Sequence, residues 1–66
     1  LDRLRRWRVH VGMEQGLPPY LVLTDTSLSV IAEIRPRDLD ELSRVPGVGA
    51  TKLELYGTSL LGLLAD

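Results

Sequence analysis

The chain has 66 residues, no cysteine and a formal net charge of −1, from eight basic and nine acidic side chains. A chain of this length forms one small domain whose core barely offsets its conformational entropy, which excludes a second domain and a large enzymatic cleft. The lack of cysteine excludes disulfide and zinc-thiolate crosslinks and fits a reducing compartment, and no apolar run is as long as a membrane span or a signal peptide.

We expect a single domain over residues 1–66, and because the chain opens at Leu1 without an initiator methionine, we expect it to be part of a longer protein. The first helix is predicted to run to about Gln15. Its apolar stripe recurs at intervals of three and four residues, at Leu1, Leu4, Trp7 and Val11. Trp7 lies on this stripe, which makes it a core residue rather than a stacking platform.

After Gly16, a pair of prolines at positions 18 and 19 predicts a stiff extended linker. Residues 20–23 resemble a strand but have no partner strand of similar length, so they form either a buried extended segment or a short turn of helix. Thr24 or Asp25 caps the second long helix, which Pro36 stops after Arg35.

The acidic residues in the middle of the chain follow the spacing of a capping box. Asp38 begins a short helix and Glu41 follows three residues later, within the first turn, where the helix dipole favours negative charge. The acidic residues here therefore have a structural role and are not predicted to bind a metal.

Val45–Gly49 reads Val-Pro-Gly-Val-Gly and predicts a tight hairpin between two helices, with Gly47 or Gly49 at positive φ. A fourth helix follows and is predicted to end at Gly57, with Thr58 or Ser59 capping a fifth. The sequence thus predicts an all-α fold, a compact bundle of five short helices with a Pro-Gly-x-Gly turn like that of a helix-hairpin-helix.

The hairpin has two interpretations. The amides of Val48, Gly49 and Ala50 lie at or beside a helix N-terminus that can hold a phosphate, with Lys52 one turn further on. The alternative is a close turn between helices that binds nothing.

Charge and chemistry point away from catalysis. Half of the basic residues fall in one early segment, at Arg3, Arg5, Arg6 and Arg8, and this cluster is either a phosphate-binding face or an ordinary solvated one. The net charge argues against a strong nucleic-acid binder.

His10 is the only histidine and has no second ligand at metal-binding spacing, and no nucleotide-binding glycine loop is present, so neither a metal site nor catalysis is predicted.

Taken together, these residues resemble the HRDC domain, named for helicase and RNase D C-terminal. The resemblance rests on four stretches in the family's order: Leu4-x-x-Trp7-Arg8, Leu17–Asp25, Ile31-Ala32 with Arg35-Pro36, and Val45-Pro46-Gly47-Val48-Gly49-x-x-Lys52-Leu53-x-x-Tyr56-Gly57. It implies an all-α accessory domain, most like those of RecQ-like or UvrD-like DNA helicases, with RNase D as a lesser alternative. ATP and magnesium would then be needed only in the helicase core, with no cofactor in this domain.

The resemblance implies weak contacts with single-stranded or branched DNA that aid substrate engagement in repair or recombination. It points to Tyr20, Gly47, Gly49 and Lys52 as binding residues. The helix start at the hairpin adds the amide of Val48, and the charge cluster adds Arg5, Arg6 and Arg8. The alternative is a protein-interaction module that docks on the helicase core or on a repair partner, with little DNA affinity. In either case we expect a monomeric isolated domain in the bacterial cytoplasm near the nucleoid.

Overall fold

The computed structural model describes residues 1–65, which form five α-helices and no strand. The helices are α1 (Asp2–Gln15), α2 (Pro19–Val22), α3 (Asp25–Ile34), α4 (Leu39–Ser43) and α5 (Ala50–Leu64). A single aliphatic cluster, contributed by every helix and by the hairpin, makes the core; its members are Leu4, Val22, Leu23, Leu28, Ile31, Leu42, Val45, Val48, Tyr56 and Leu60. None of the five helices is both long and apolar enough to cross a membrane.

The two longest helices, α1 and α5, meet near both ends of α1. Near the start of α1, Leu1 and Leu4 line a cavity of about 140 Å³ together with Leu64 from the end of α5. Near the end of α1, Gln15 accepts a hydrogen bond of 2.7 Å from the Tyr56 hydroxyl of α5. The start of α1 is therefore beside the end of α5, and the end of α1 is beside the middle of α5.

Trp7 packs between these helices, as its position on the apolar stripe predicts. Its ring meets the Tyr56 ring edge to face, with the centroids 5.7 Å apart and an interplanar angle of 88°. Such aromatic pairs stabilise a fold beyond the area that they bury. Trp7 is therefore part of the packing between α1 and α5.

Residues 19–23 settle the choice between an extended segment and a helical turn. Pro19 begins a one-turn helix, a position where its missing N–H is no loss, and Leu23 donates back to the Pro19 carbonyl at 3.3 Å. Val22 and Leu23 are fully buried. Burial of these two side chains explains why so short a helix is stable.

The predicted caps of α3 and α4 are confirmed. Thr24 accepts from the Ser27 amide at 3.2 Å, and Asp38 accepts from the Glu41 amide at 2.8 Å. The Glu41 carboxylate accepts from the amide of Arg37 at 2.7 Å, one residue before the cap. The capping box therefore closes with its return bond shifted by one residue.

The predicted helix break at Gly57 is wrong, because α5 continues through it from Ala50 to Leu64. Gly57 is buried where α5 crosses α4, and a Cβ there would lie 2.6 Å from Cδ2 of Leu39. The glycine serves a close helix contact rather than a helix end. The count of five helices still holds, since residues 19–22 supply the helix that the break was expected to create.

The hairpin between α4 and α5 packs tightly against α3. Gly47 has a φ of 89°, and a Cβ at this position would collide with the Ser27 hydroxyl. That hydroxyl donates to the Pro46 carbonyl at 2.6 Å. Gly49, by contrast, has a φ of −85°, and a Cβ added to it would have no neighbouring atom within 4 Å. Of the two glycines, only Gly47 is required by the backbone.

We expect Gly47→Ala to lower the free energy of unfolding by about 2 kcal/mol or more, because it combines a positive-φ alanine with a clash against a buried, hydrogen-bonded hydroxyl. Gly49→Ala is the matched control and should change stability by less than about 0.5 kcal/mol. Urea denaturation of both variants checks this. Equal stability of the two would show that the hairpin does not depend on the conformation of Gly47.

Candidate nucleic-acid interface

Five of the eight residues that the sequence pointed to lie on α2 or within residues 46–52. We call this part of the domain the hairpin end, and it consists of α2, the start of α3 at Thr24 and residues 46–52. Oγ1 of Thr24 would lie 3.9 Å from a Cβ on Gly47, which brings α3 against the hairpin. Tyr20 is four residues before Thr24 in the chain, so it lies within about 14 Å of Thr24 by chain length alone.

Tyr20 is 63% exposed and therefore does not pack inward. Leu21 beside it is also exposed, whereas Val22 and Leu23 anchor the same turn in the core. An aromatic ring on a short, anchored helix is available for stacking on a nucleic-acid base. Tyr20 is thus exposed enough to stack on a base. The contact of Tyr20 with DNA stays a prediction.

The start of α5 offers backbone donors to an anion. No side chain caps this helix start, and the N–H groups of Ala50 and Thr51 belong to the first turn, which has no preceding carbonyls to bond. Gly49 leaves open space beside them, and Lys52 adds a cation in the same turn. An uncapped helix N-terminus with a lysine suits a phosphate.

Two of the predicted hairpin residues play structural parts. The Val48 amide donates to the Val45 carbonyl at 3.0 Å and the Val48 side chain is buried, so neither group can face a phosphate. Gly47 faces Ser27. The donors open to an anion therefore begin at Gly49, one residue later than the sequence indicated.

Arg8 does not belong to the interface that the sequence predicted for it. It is only 9% exposed, and its guanidinium donates to the Leu23 carbonyl at 2.8 Å and pairs with Asp25 at 2.8 Å. Arg8 thus joins α1 to the connection between α2 and α3. A guanidinium held inside the domain cannot neutralise a DNA phosphate.

Arg5 and Arg6 are exposed but lie away from the hairpin end. They are in the first half of α1, where they line an open depression together with Val9, His10 and Met13, and no residue of the hairpin end lines it. The eight predicted residues therefore do not form one continuous site.

The sequence did not single out Ser27 or Arg44. Ser27 holds the hairpin through its bond to Pro46, across 19 residues of chain, which no local pattern can indicate. Arg44 ends α4 just before the hairpin, and its exposed guanidinium pairs with Asp40 at 2.8 Å. A basic residue two positions before the Pro-Gly pair was the available signal for Arg44.

Within residues 1–65 there is no cluster of three or more histidine or acidic side chains placed to hold a metal ion. The groups that α2 and residues 49–52 present are backbone hydrogen-bond donors, Lys52 and the ring of Tyr20. These groups can bind an anionic, base-bearing chain.

Comparisons with known proteins bear on the family and the fold of the chain. The family model of the HRDC domain matches residues 1–64. ATP-dependent DNA helicase UvrD2 of Mycobacterium tuberculosis (strain H37Rv) is 45% identical over 64 residues, covering 97% of this chain and 9% of the helicase. ATP-dependent DNA helicase RecQ of Bacillus subtilis is 38% identical over 60 residues, covering 91% of this chain and 10% of the helicase. The chain thus spans about a tenth of the length of these curated relatives.

A solved structure described as D. radiodurans RecQ HRDC domain 3 has the same fold. It superposes with a TM-score of 0.92 at 35% sequence identity, covering 96% of this chain and 83% of that one. The two helicase types implied by the resemblance, UvrD-like and RecQ-like, are therefore both among the similar proteins.

We expect Arg8→Ala to lower the free energy of unfolding by about 1 to 3 kcal/mol, because the buried Leu23 carbonyl loses its donor and the arginine stem leaves a gap. Arg6→Ala removes the same charge from an exposed site on the same helix and should change it by less than about 0.5 kcal/mol. Thermal and urea denaturation measure both. An Arg8→Ala variant as stable as Arg6→Ala would contradict a structural role for Arg8.

Proposed function

The chain belongs to the HRDC domain family, and we propose that it acts as a non-catalytic accessory domain of an ATP-dependent DNA helicase, making weak contacts with single-stranded or branched DNA during repair or recombination. The observation that carries the proposal is the uncapped start of α5, with the open Gly49 before it and Lys52 in its first turn; the exposed ring of Tyr20 on α2 adds to it. The names of the similar helicases support the choice of parent. ATP and magnesium would be used by a motor outside this chain, in the cytoplasm.

In the proposed contact, a phosphate lies over the start of α5. Its oxygens accept from the amides of Ala50 and Thr51, the absence of a side chain at Gly49 lets the backbone of the nucleic acid approach, and Lys52 supplies charge. A neighbouring base stacks on Tyr20. None of these groups reads the edge of a base, so the contact does not depend on sequence.

The charge of the domain sets the strength of this contact. Within residues 44–52 the positive charges are Lys52 and Arg44, and Arg44 is already paired with Asp40. With so few phosphate contacts, we expect a dissociation constant of roughly 10⁻⁴ to 10⁻⁶ M. This constant should rise as salt is added, because salt weakens the contacts with phosphate. An NMR titration with single-stranded DNA at low salt tests the proposal: shifts should concentrate at Tyr20 and at the amides of residues 49–52. A complete absence of shifts there would overturn it.

A second candidate function is docking on a protein, such as the helicase core or a repair partner. It is favoured by a groove of about 510 Å³ where the ends of α3 and α5 meet, lined in part by Ile34, Leu61 and Leu64. Ile34 is half exposed there, as expected of a surface that a partner covers. Shifts confined to this groove on addition of the partner, with none at the hairpin end on addition of DNA, would favour docking.

We expect Lys52→Ala to weaken DNA binding and to lower the slope of log affinity against log salt by about one charge, with stability changed by less than about 0.5 kcal/mol. Arg37→Ala is the matched control, because it removes the same charge near the far end of α5, beside Leu61 and Leu64. Binding isotherms at several salt concentrations compare the two. If Lys52→Ala and Arg37→Ala change the slope equally, the loss of affinity reflects net charge alone. The hypothesis of a phosphate site at the hairpin is then wrong.

We expect Tyr20→Ala to reduce the affinity for single-stranded DNA by about 1 to 3 kcal/mol, the usual value of one stacked base. Its melting temperature should stay close to that of the parent domain, because the ring is mostly exposed. Tyr20→Phe keeps the ring and should keep the affinity. A loss of affinity in Tyr20→Phe equal to that in Tyr20→Ala would show that the hydroxyl, and not stacking, makes the contact.

A further inference from the structure

The outer face of α1 carries exposed apolar side chains that the proposed DNA contact does not use. Met13 is 78% exposed and Val9 is 44% exposed. Together with Arg5, Arg6 and His10 they line an open depression of about 390 Å³. Two large apolar side chains on the solvent side of a helix suit contact with another apolar surface.

The charges on this face are ordered along the helix. Arg6, His10 and Glu14 follow one another at intervals of four residues, so they form one row from the start of α1 to its end. Arg6 is the basic end of the row and Glu14 is the acidic end, and His10 lies within 3.7 Å of Glu14. The row therefore changes sign along its length.

The last turn of α1 opposes the helix dipole, because it contains Glu14 and no basic residue, whereas Asp2 in the first turn agrees with the dipole. Arg5 and Arg6 lie just beyond the first turn. Within residues 1–65 neither of these two guanidinium groups has an acidic partner. The two arginines thus gain no ion pair within a single copy, which points to a partner outside it.

We propose that this partner is a second copy of the chain, paired through the outer face of α1 about a twofold axis that makes the two α1 helices antiparallel. The axis passes close to Val9 and His10, midway between Arg6 and Glu14. Arg6 of each copy then faces Glu14 of the other, and twofold symmetry forms this ion pair twice. The arginines lie beside the C-terminal half of the opposite α1, where the dipole favours them.

The apolar residues complete the match. Val9 lies near the axis and meets its own counterpart, while Met13 covers the aliphatic stem of Arg5 on the other copy. DNA is a poorer occupant, because its phosphates would be repelled by Glu14 and would offer Met13 no apolar partner. A helix with acidic residues at one end and basic residues at the other is complementary to itself when it is reversed.

The pairing is weak. One helix face per copy buries well below the roughly 1,200 Å² of a stable specific interface, so we expect a dissociation constant on the order of 1 mM. At micromolar concentration the domain is then monomeric. The hairpin end is not covered, and the pairing does not rest on the proposed DNA contact.

Charge exchange tests the proposal. In sedimentation equilibrium from roughly 0.05 to 2 mM protein, Arg6→Glu and Glu14→Arg should each weaken self-association about tenfold, since each sets like charges opposite each other. An equimolar mixture of the two single variants should associate as strongly as the parent, because every facing pair in the mixed dimer is opposite in sign. The double variant Arg6→Glu/Glu14→Arg should also recover association.

Arg37→Glu is the control, as it makes the same change of charge away from α1 and should leave self-association unchanged. Circular dichroism of each variant confirms folding, which these exposed positions should not disturb. A parent domain that stays monomeric at 2 mM, roughly twice the expected dissociation constant, overturns the proposal. Failure of the mixture to associate also overturns it, even if both single variants are monomeric.

Discussion

The hydrogen bond from the Ser27 hydroxyl to the Pro46 carbonyl is the contact on which the hairpin end depends. Ser27 is buried in the first turn of α3, and its hydroxyl lies 3.0 Å from that of Thr24, which caps the same helix. The hairpin is thereby held against a fixed helix start, and only glycine fits at position 47. Because the turn at Gly47 is fixed, the start of α5 is fixed as well, with the open Gly49 as its cap residue. The amide donors in the first turn of α5 are therefore oriented before any ligand arrives.

The four early arginines show how the fold divides a charge cluster. Arg8 is four residues after Leu4, so it falls on the inner side of α1 and its charge is used against Leu23 and Asp25. Arg6 falls on the opposite side and keeps its charge in solvent. A count of arginines in the sequence therefore overstates the charge available to DNA, and Lys52 carries more of the proposed contact than the cluster does.

Local signals in the sequence were sufficient for most helix boundaries. Gly16, Thr24 and Asp38 act through their nearest neighbours, and each is where its helix was expected to begin or end. The prediction of a helix end at Gly57 is wrong because the neighbouring residues do not distinguish a glycine inside a helix from one that ends it. What distinguishes Gly57 is the close packing of the Leu39 side chain against it. The burial of Arg8 could be predicted from the sequence, because it lies four residues after Leu4 on the same side of α1. The contact between α3 and the hairpin could not be predicted, because it joins residues far apart in the chain.

The antiparallel geometry of α1 relates the two proposals. Each hairpin end includes α2, which follows the C-terminal end of its own α1 after three residues. When two α1 helices pair in opposite directions, the two hairpin ends must lie at opposite ends of the pair. The phosphate sites then cannot share adjacent phosphates, so a pair of domains would hold two separate DNA segments, or one strand at two distant points. Branched DNA supplies two such segments within one molecule, and binding at both raises the effective concentration of the second domain. A contact that is weak in one copy would in this way favour forks and junctions over a single strand.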